Sequence, residues 1–339
     1  MQTSGQISML EEVRLSAQRI FSLISDELKQ VEDEFERQAR SNVQVISYIG
    51  NYLRSSGGKR VRPALTILSN YAVGGDGGRY NSIRMATVME FLHTATLVHD
   101  DVIDEAGTRR NRQTINALYG NQTAVLMGDW LYMSAFETSL AERSLEILDI
   151  LTAVTRKMTE GELLQLTQIG KVDLTAAEYL DIVQCKTAFL FSACCEVGGI
   201  LGGASKTEQA ALREYGMNLG MAFQLTDDLL DFTANEEVIG KAAGVDLIGG
   251  KVTLPLIYLL DREAGAEQMI TTILSDGTYD NIPRATVVSA LEQNGCLEDA
   301  RMCADKFAEV ARASLQNLPE SEYCDALRAI PAYVLQRDH

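Results

Sequence analysis

Proline is scarce in this chain, with 5 residues in 339. No Pro-, Gly- or Ser-rich linker and no charge block divides it, although its length would hold one large helical domain or two ordinary ones. Positive charge is short too: 30 Lys and Arg stand against 47 Asp and Glu, a formal net charge of −17, which argues against a nucleic-acid partner. The overall sign is equally wrong for a small anion, so any anion site must be made positive locally. None of Cys185, Cys194, Cys195, Cys296, Cys303 and Cys324 falls in a metal-binding spacing. Cys194 and Cys195 lie in the apolar run FLFSACCEVGGI, where thiols act as small hydrophobes, and reduced cysteines of this kind fit a cytoplasmic protein. The N-terminal MQTSGQISMLEEVRLSAQ has no signal-peptide core, and no apolar run reaches membrane-spanning length. Neither a strand signal nor a short-period repeat is visible.

What is present is helical periodicity, from about residue 9 to 335. It predicts helices from Met9 to Arg37, from Val43 to Leu53, and from Ala64 to Tyr71 with Pro63 in the first turn. Gly74 to Gly78 reads as a loop. A helix from Ser82 to Asp104 follows, ending ahead of the basic segment Thr108-Arg109-Arg110-Asn111-Arg112. Long helices are expected over 121–146, 147–169, 175–201 and 206–233. The glycine-rich stretch 234–253, with Lys241 and Lys251, reads as a mobile flap, and four or five shorter helices close the chain.

Two copies of Asp-Asp-x-x-Asp stand on these helices: Asp100, Asp101 and Asp104 in VHDDVIDE, and Asp227, Asp228 and Asp231 in LTDDLLDF. The first and last Asp of each trio lie one turn apart on one helix face. Apolar neighbours such as Leu97, Val98, Leu225 and Leu229 turn both helices toward a core. Carboxylates packed there repel, by roughly 4 kcal/mol for a pair about 4 Å apart at an effective dielectric near 20. A hard divalent cation with oxygen ligands relieves that repulsion, and Mg²⁺ favours a few carboxylates completed by phosphate oxygens. The pattern therefore predicts a metal-bridged diphosphate. The two motifs need each other, which favours a single domain spanning 1–339.

Lys59-x-x-Arg62, His93, the first trio, Arg109-Arg110, Lys186-Thr187, Gln224, the second trio, Lys241 and Lys251 occur in the order seen in trans-isoprenyl diphosphate synthases. The stretch from Gly57 to Pro255 resembles the long-chain bacterial members, of the octaprenyl diphosphate synthase kind, and the likeness weakens toward the C-terminus. One acidic motif is a weak signal, whereas two with the basic residues in register are highly specific. The resemblance implies an all-α bundle around a deep central cavity, with an acidic trio on each side of its mouth. It implies three Mg²⁺ ions, replaceable by Mn²⁺: Asp100 and Asp104 bridging two, Asp227 helping to hold a third, and Asp101, Asp228 and Asp231 completing the ligand and supporting network. Arg109, Lys186, Lys251 and Lys241 would join the metals on an allylic diphosphate. Lys59, Arg62, His93 and Arg110 match the cationic pocket for isopentenyl diphosphate, whose own diphosphate must not leave.

The implied chemistry is ionisation of the allylic diphosphate, attack by isopentenyl diphosphate and loss of a proton to the released diphosphate. The Lys186 carbonyl, the Thr187 hydroxyl and the Gln224 amide oxygen resemble the family's cation-stabilising dipoles. Upstream of the first trio, Ala95 and Thr96 are small where short-chain relatives carry a blocking aromatic. Leu92, Val88 and Met85 would line a hydrocarbon channel, and Ser139 falls where some long-chain relatives carry a larger stopper. This reads as a long product, typical of quinone side chains. A homodimer through helices such as 121–146 is implied, with at most transient membrane contact for product release. His99 reads as structural, and Gln165 either faces the cavity or packs between helices.

The chain departs from the family pattern at Val245 and Gly249, where carboxylates are usual, and at Asn111-Arg112-Gln113 in place of Gly-x-Pro. A terpene cyclase shares metal-triggered ionisation, but usually lacks a full second Asp trio and the isopentenyl pocket. A non-catalytic subunit of a heteromeric synthase usually loses aspartates that this chain keeps.

Overall fold

Between Lys206 and Thr233 no proline interrupts the apolar periodicity, and one 28-residue helix forms. Everything that positions the site is arranged around it. The computed structural model describes residues 18–43, 45–48, 50, 60–109, 112–233 and 244–336. Lys59, Arg110 and Lys241 lie outside the described residues. The first half of the chain forms α1 (Ser25–Gln38), α2 (Val61–Ala72), α3 (Tyr80–Ile103), α4 (Ile115–Tyr119), α5 (Asn121–Leu140) and α6 (Leu145–Gln168). The second forms α7 (Ala176–Val183), α8 (Phe189–Leu201), α9 (Lys206–Thr233), α10 (Val245–Ile248), α11 (Leu254–Arg262), α12 (Ala266–Asp276), α13 (Arg284–Gln293), α14 (Cys296–Ser314) and α15 (Glu322–Leu335).

The fold is all-α, as expected, and α9 joins its two apolar clusters. The N-terminal half of α9 gives Leu212, Tyr215 and Leu219 to a cluster built from α1, α2, α3, α5, α8 and α15. Its C-terminal half gives Met221, Leu225, Leu229 and Phe232 to a second cluster with α7, α11, α12 and α13. Helix α14 also enters both, through Ala311 and Ala300. Two elements threading both clusters make them one body. No helix among the described residues is long and apolar enough to cross a membrane.

Four boundaries differ from expectation. The N-terminal helix turns at Leu23 and Ile24 before α1 begins. Helix α5 stops at Leu140: Arg143 takes a left-handed φ of 53°, and the Ser144 hydroxyl caps α6 by accepting the Ile147 N–H at 3.3 Å. A two-residue antiparallel ladder pairs Thr108 with Gln113 and Arg109 with Arg112, in a segment whose charge hides any strand signal. Finally, 175–201 is not one α-helix. A π-helical turn, Gln184–Ala188, separates α7 from α8, with the Phe189 N–H closing on the Gln184 carbonyl. The capping box of Thr175 and Glu178 starts this run correctly, but nothing local marks the extra residue in its middle.

That turn carries Lys186 and Thr187, and two helices reach it at glycines. A Cβ on Gly161 of α6 would meet Cys185 Cβ at 2.7 Å and the Lys186 nitrogen at 2.8 Å. A Cβ on Gly220 of α9 would meet Ala188 Cα at 2.6 Å. Backbone cannot retreat as a side-chain tip can, so Gly161→Ala should lower the unfolding free energy by about 1–3 kcal/mol, the usual cost of overpacking. Urea melts measure it; an unchanged midpoint at unchanged slope would mean that α6 does not approach the π turn this closely.

Candidate active site

Helices α3 and α9 bring the two trios to a pair of adjoining cavities. The larger, of about 390 Å³, is walled by Arg62, His93, Thr96, Asp100, Glu162 and Asp227 among others. The smaller, of about 230 Å³, is walled by Asp104, Gln165, Tyr179, Asp228, Asp246 and Lys251 among others. Leu97, Asp100, Arg109, Lys186, Thr187 and Gln224 line both, and so form the boundary between them. Both trios thus share one hollow, and the π turn places Lys186 and Thr187 in its wall.

The first trio is balanced by cations. Lys186 Nζ lies 3.7 Å from Asp100 Oδ2, Arg109 Nε donates to Asp101 Oδ1 at 2.8 Å, and Lys251 Nζ donates to Asp104 Oδ2 at 3.2 Å. Lys186 also meets Glu162 Oε2 at 2.5 Å and donates to Gln165 Oε1 at 3.4 Å. Burial pulls the Lys186 pKa down, but Asp100 and Glu162 outweigh it and hold the ammonium above its ordinary value. Burial, with Glu162 and Asp104 adding to it against the pull of Lys186, pushes Asp100 up to about 6.

In the second trio, Asp228 and Asp231 are held by neutral donors. Gln224 Nε2 donates to Asp228 Oδ1 at 2.8 Å, and the Tyr179 hydroxyl donates to Asp228 Oδ2. A carboxylate accepts only from the amide NH₂, which turns Gln224 Oε1 toward Thr187, whose hydroxyl donates to it at 2.9 Å. Asp231 is caged by backbone: the N–H groups of Gly244 and Val245 reach its Oδ1 at 3.2 and 3.1 Å, and that of Asp246 reaches Oδ2 at 3.2 Å. Neutral donors do not cancel charge. Burial and the nearby Asp246 push Asp228 up to about 7 and Asp231 up to about 6.

Burial and partners divide the six aspartates. Asp100, Asp104, Asp227 and Asp228 reach the cavity walls, while Asp101 is buried against Arg109 and Asp231 anchors the start of α10. The all-oxygen donor set suits a hard divalent ion. Among the described residues no three His, Cys, Asp or Glu side chains close into a ready-made cage.

The remaining expected residues are placed as follows. Arg62 and His93 stand in the wall of the larger cavity, the Arg62 guanidinium 4.8 Å from the Phe191 ring centroid. Thr96 lines that cavity too. Ala95, Leu92, Val88 and Met85 continue down α3 inside the packed core, closed to solvent. Ser139 is buried on α5, donating to the Phe136 carbonyl at 2.8 Å. Gln165 faces the smaller cavity. His99 joins the wall of the larger one, its Nε2 3.1 Å from the Val125 carbonyl and its ring filling the space a Gly128 side chain would occupy. Sequence reading missed Glu162 and Tyr179. Glu162 stands one turn before Gln165 in EGELLQL, a polar pair on one face of α6, and that was its available signal. Tyr179 gave none, since it continues an apolar stripe.

The polyprenyl synthetase family model matches residues 43–289. The octaprenyl diphosphate synthase of Escherichia coli (strain K12) is 38% identical over 325 residues, covering 96% of this chain and 100% of that protein. A decaprenyl diphosphate synthase structure from Rhodobacter capsulatus is 34% identical with a TM-score of 0.89, covering 95% of this chain and 99% of its own. A polyprenyl synthase from Caulobacter crescentus CB15, complexed with calcium and isoprenyl diphosphate, is 33% identical with a TM-score of 0.90, covering 95% and 98%.

Asp100, Asp228 and Asp231 bind protons more tightly folded than unfolded, so their contribution to stability is complete below the ordinary Asp pKa. It is lost as pH rises through about 6 and about 7. In a metal chelator the melting temperature should therefore fall between about pH 4 and pH 7, and Asp228→Asn should flatten that slope. Melting curves that run parallel for the two proteins across this range would contradict the assignment.

Proposed function

The chain belongs to the polyprenyl synthetase family, and on that premise we propose how its cavity carries out prenyl transfer. It is a prenyltransferase that joins isopentenyl diphosphate to an allylic diphosphate, head to tail, as trans-polyprenyl diphosphate synthases do. The observation that carries the proposal is the meeting of both acidic trios around one hollow, with the Lys186–Thr187 turn on the boundary between its compartments.

Asp100, Asp104, Asp227 and Asp228 would hold Mg²⁺ with the allylic diphosphate, Asp101 and Asp231 supporting them from behind. When bound, the metal neutralises diphosphate charge and so favours its departure. The similar Caulobacter protein, crystallised with calcium and isoprenyl diphosphate, supports a divalent ion beside a diphosphate. Lys186, Arg109 and Lys251 now lie on the first trio's carboxylates and would turn to diphosphate oxygens, Glu162 keeping Lys186 in place. Lys241, outside the described residues, joins them. Arg62 and His93, with Lys59 and Arg110 also outside the described residues, would bind isopentenyl diphosphate through charge alone. Metal on one diphosphate and side-chain cations on the other decide which substrate ionises.

In the reaction the allylic carbon–oxygen bond breaks, its electron pair leaving with diphosphate. The double bond of isopentenyl diphosphate attacks the carbocation, and the adjacent carbon loses a proton to the departed diphosphate. The product is one isoprene unit longer and again allylic. Thr187 and the fixed Gln224 oxygen present dipoles to the cation. Growth continues along α3 beneath Thr96, past Ala95, Leu92, Val88 and Met85, with Ser139 on the facing helix. Those side chains are packed closed here and would part for the growing chain, and the small Ala95 and Thr96, in place of a blocking aromatic, favour a long product.

A homodimer is also proposed. On α5, Leu126, Met133 and Leu140 recur at heptad spacing with exposures of 68%, 62% and 50%, an apolar stripe that a second copy would cover. Sedimentation should give the mass of two chains.

Incubation with isopentenyl diphosphate, several allylic primers and Mg²⁺, followed by chromatography of the dephosphorylated products, should yield long all-trans polyprenols. Unreacted isopentenyl diphosphate with every primer would sink the reading. Thr96→Phe should shift the products to shorter chains, and an unchanged distribution would place the growing chain elsewhere.

A further inference from the structure

Behind the second trio, away from both cavities, one side chain holds the end of α9. Arg284, at the start of α13, donates through Nη2 to the Phe232 carbonyl at 2.6 Å and to the Asp231 carbonyl at 3.3 Å. These are acceptors in the last turn of α9, where a cation also complements the helix dipole. The Asp231 carbonyl is shared, accepting the Gly244 N–H at 2.8 Å as well. The Gly244 carbonyl in turn accepts the Tyr279 hydroxyl at 2.8 Å.

The fit around Gly244 is close. Its φ is +78°, a left-handed conformation, and a Cβ there would lie 2.6 Å from the Tyr279 oxygen and 3.1 Å from Arg284 Cδ. From this fixed point the chain enters the site. The N–H groups of Gly244, Val245 and Asp246 cage the Asp231 carboxylate, and Asp246 enters the wall of the smaller cavity. The Asp246 carbonyl accepts the Lys251 N–H at 2.8 Å, and the Lys251 ammonium reaches Asp104 on the opposite helix. A continuous series of contacts thus runs from Arg284 and Tyr279 to both trios.

We propose that Arg284 and Tyr279 are a positioning pair for the metal–diphosphate site: they fix Asp231 and Gly244, and thereby set where Asp246 and Lys251 meet the cavity. Neither side chain is in the wall of either compartment, so both act through the residues they hold. The inference rests on the prenyltransferase reading for the identity of the bound anion. Partners behind a metal site commonly change metal affinity about 10–100-fold when lost, because the carboxylates they orient then sample wrong positions.

The test is calorimetric titration of inorganic diphosphate into the full chain at a series of Mg²⁺ concentrations. Arg284→Met should raise the Mg²⁺ concentration for half-maximal binding by about tenfold or more. The apparent Mg²⁺ requirement in turnover should move by the same factor, while kcat at saturating metal changes less. Arg284→Lys should recover most of the shift, since an ammonium can still donate to both carbonyls. Tyr279→Phe, which keeps the ring and loses only the bond to Gly244, should give a smaller shift in the same direction and carries the test should Arg284→Met fail to fold. Folded variants with an unmoved Mg²⁺ midpoint would overturn the proposal, whether kcat is intact or reduced. Failure of the unsubstituted protein to bind diphosphate with Mg²⁺ would instead overturn the reading on which it rests.

Discussion

The structure depends on carboxylates gathered around one hollow, most of them withdrawn from solvent. Helices α3 and α9 each bring an Asp trio to one hollow, two carboxylates of each reaching its wall, and the surrounding side chains are placed around that repulsion. On α3 it is met with opposite charge from Lys186, Arg109 and Lys251. On α9 Asp228 and Asp231 are met with hydrogen bonds from Tyr179, Gln224 and three backbone N–H groups. The difference matters chemically. Balanced carboxylates exchange one cation for another at little cost, whereas those held by neutral donors remain under-neutralised and draw in a new cation. On the proposed reading the site would gain positive charge and then release three cationic side chains toward an anion.

This resolves the mismatch between a chain of net charge −17 and substrates that are themselves anions. Attraction at long range is not what recruits a diphosphate here, because exposed charges more than about 10 Å away are largely screened at ordinary salt. The affinity is local. On the proposed reading it would come from guanidinium and ammonium groups whose present partners are carboxylates that would take metal, which couples the two events through shared side chains.

Much of this was legible in the sequence because the signals are local. The trios are contiguous, α9 runs from Lys206 to Thr233 as its periodicity predicts, and Pro63 falls in the first turn of α2. The missed features have non-local causes. The halt at Leu140 depends on a left-handed arginine and a serine cap, neither of which carries the weight of a glycine or proline. Tyr179 looks like core because its ring is core, and only its hydroxyl serves the site. Arg284 reads as ordinary surface charge until the fold brings the end of α9 to it from 52 positions upstream. Asp231 is the instructive case: its motif marks it as a metal ligand, while tertiary structure makes it the anchor of α10.

The π turn at Gln184–Ala188 has a consequence of its own. An α-helix advances about 100° per residue, so one surplus residue rotates everything after it by that amount relative to an uninterrupted path. The insertion lets α8 keep its apolar face on α2 and α9 while α7 packs against α11 in an otherwise incompatible phase. Lys186 and Thr187 sit at the seam, where the spiral has been widened to reconcile the two. The wall between the compartments is therefore a dislocation in a helix, pinned on either flank by Gly161 and Gly220, and its geometry is kept as an error of phase that the surrounding packing does not allow to anneal.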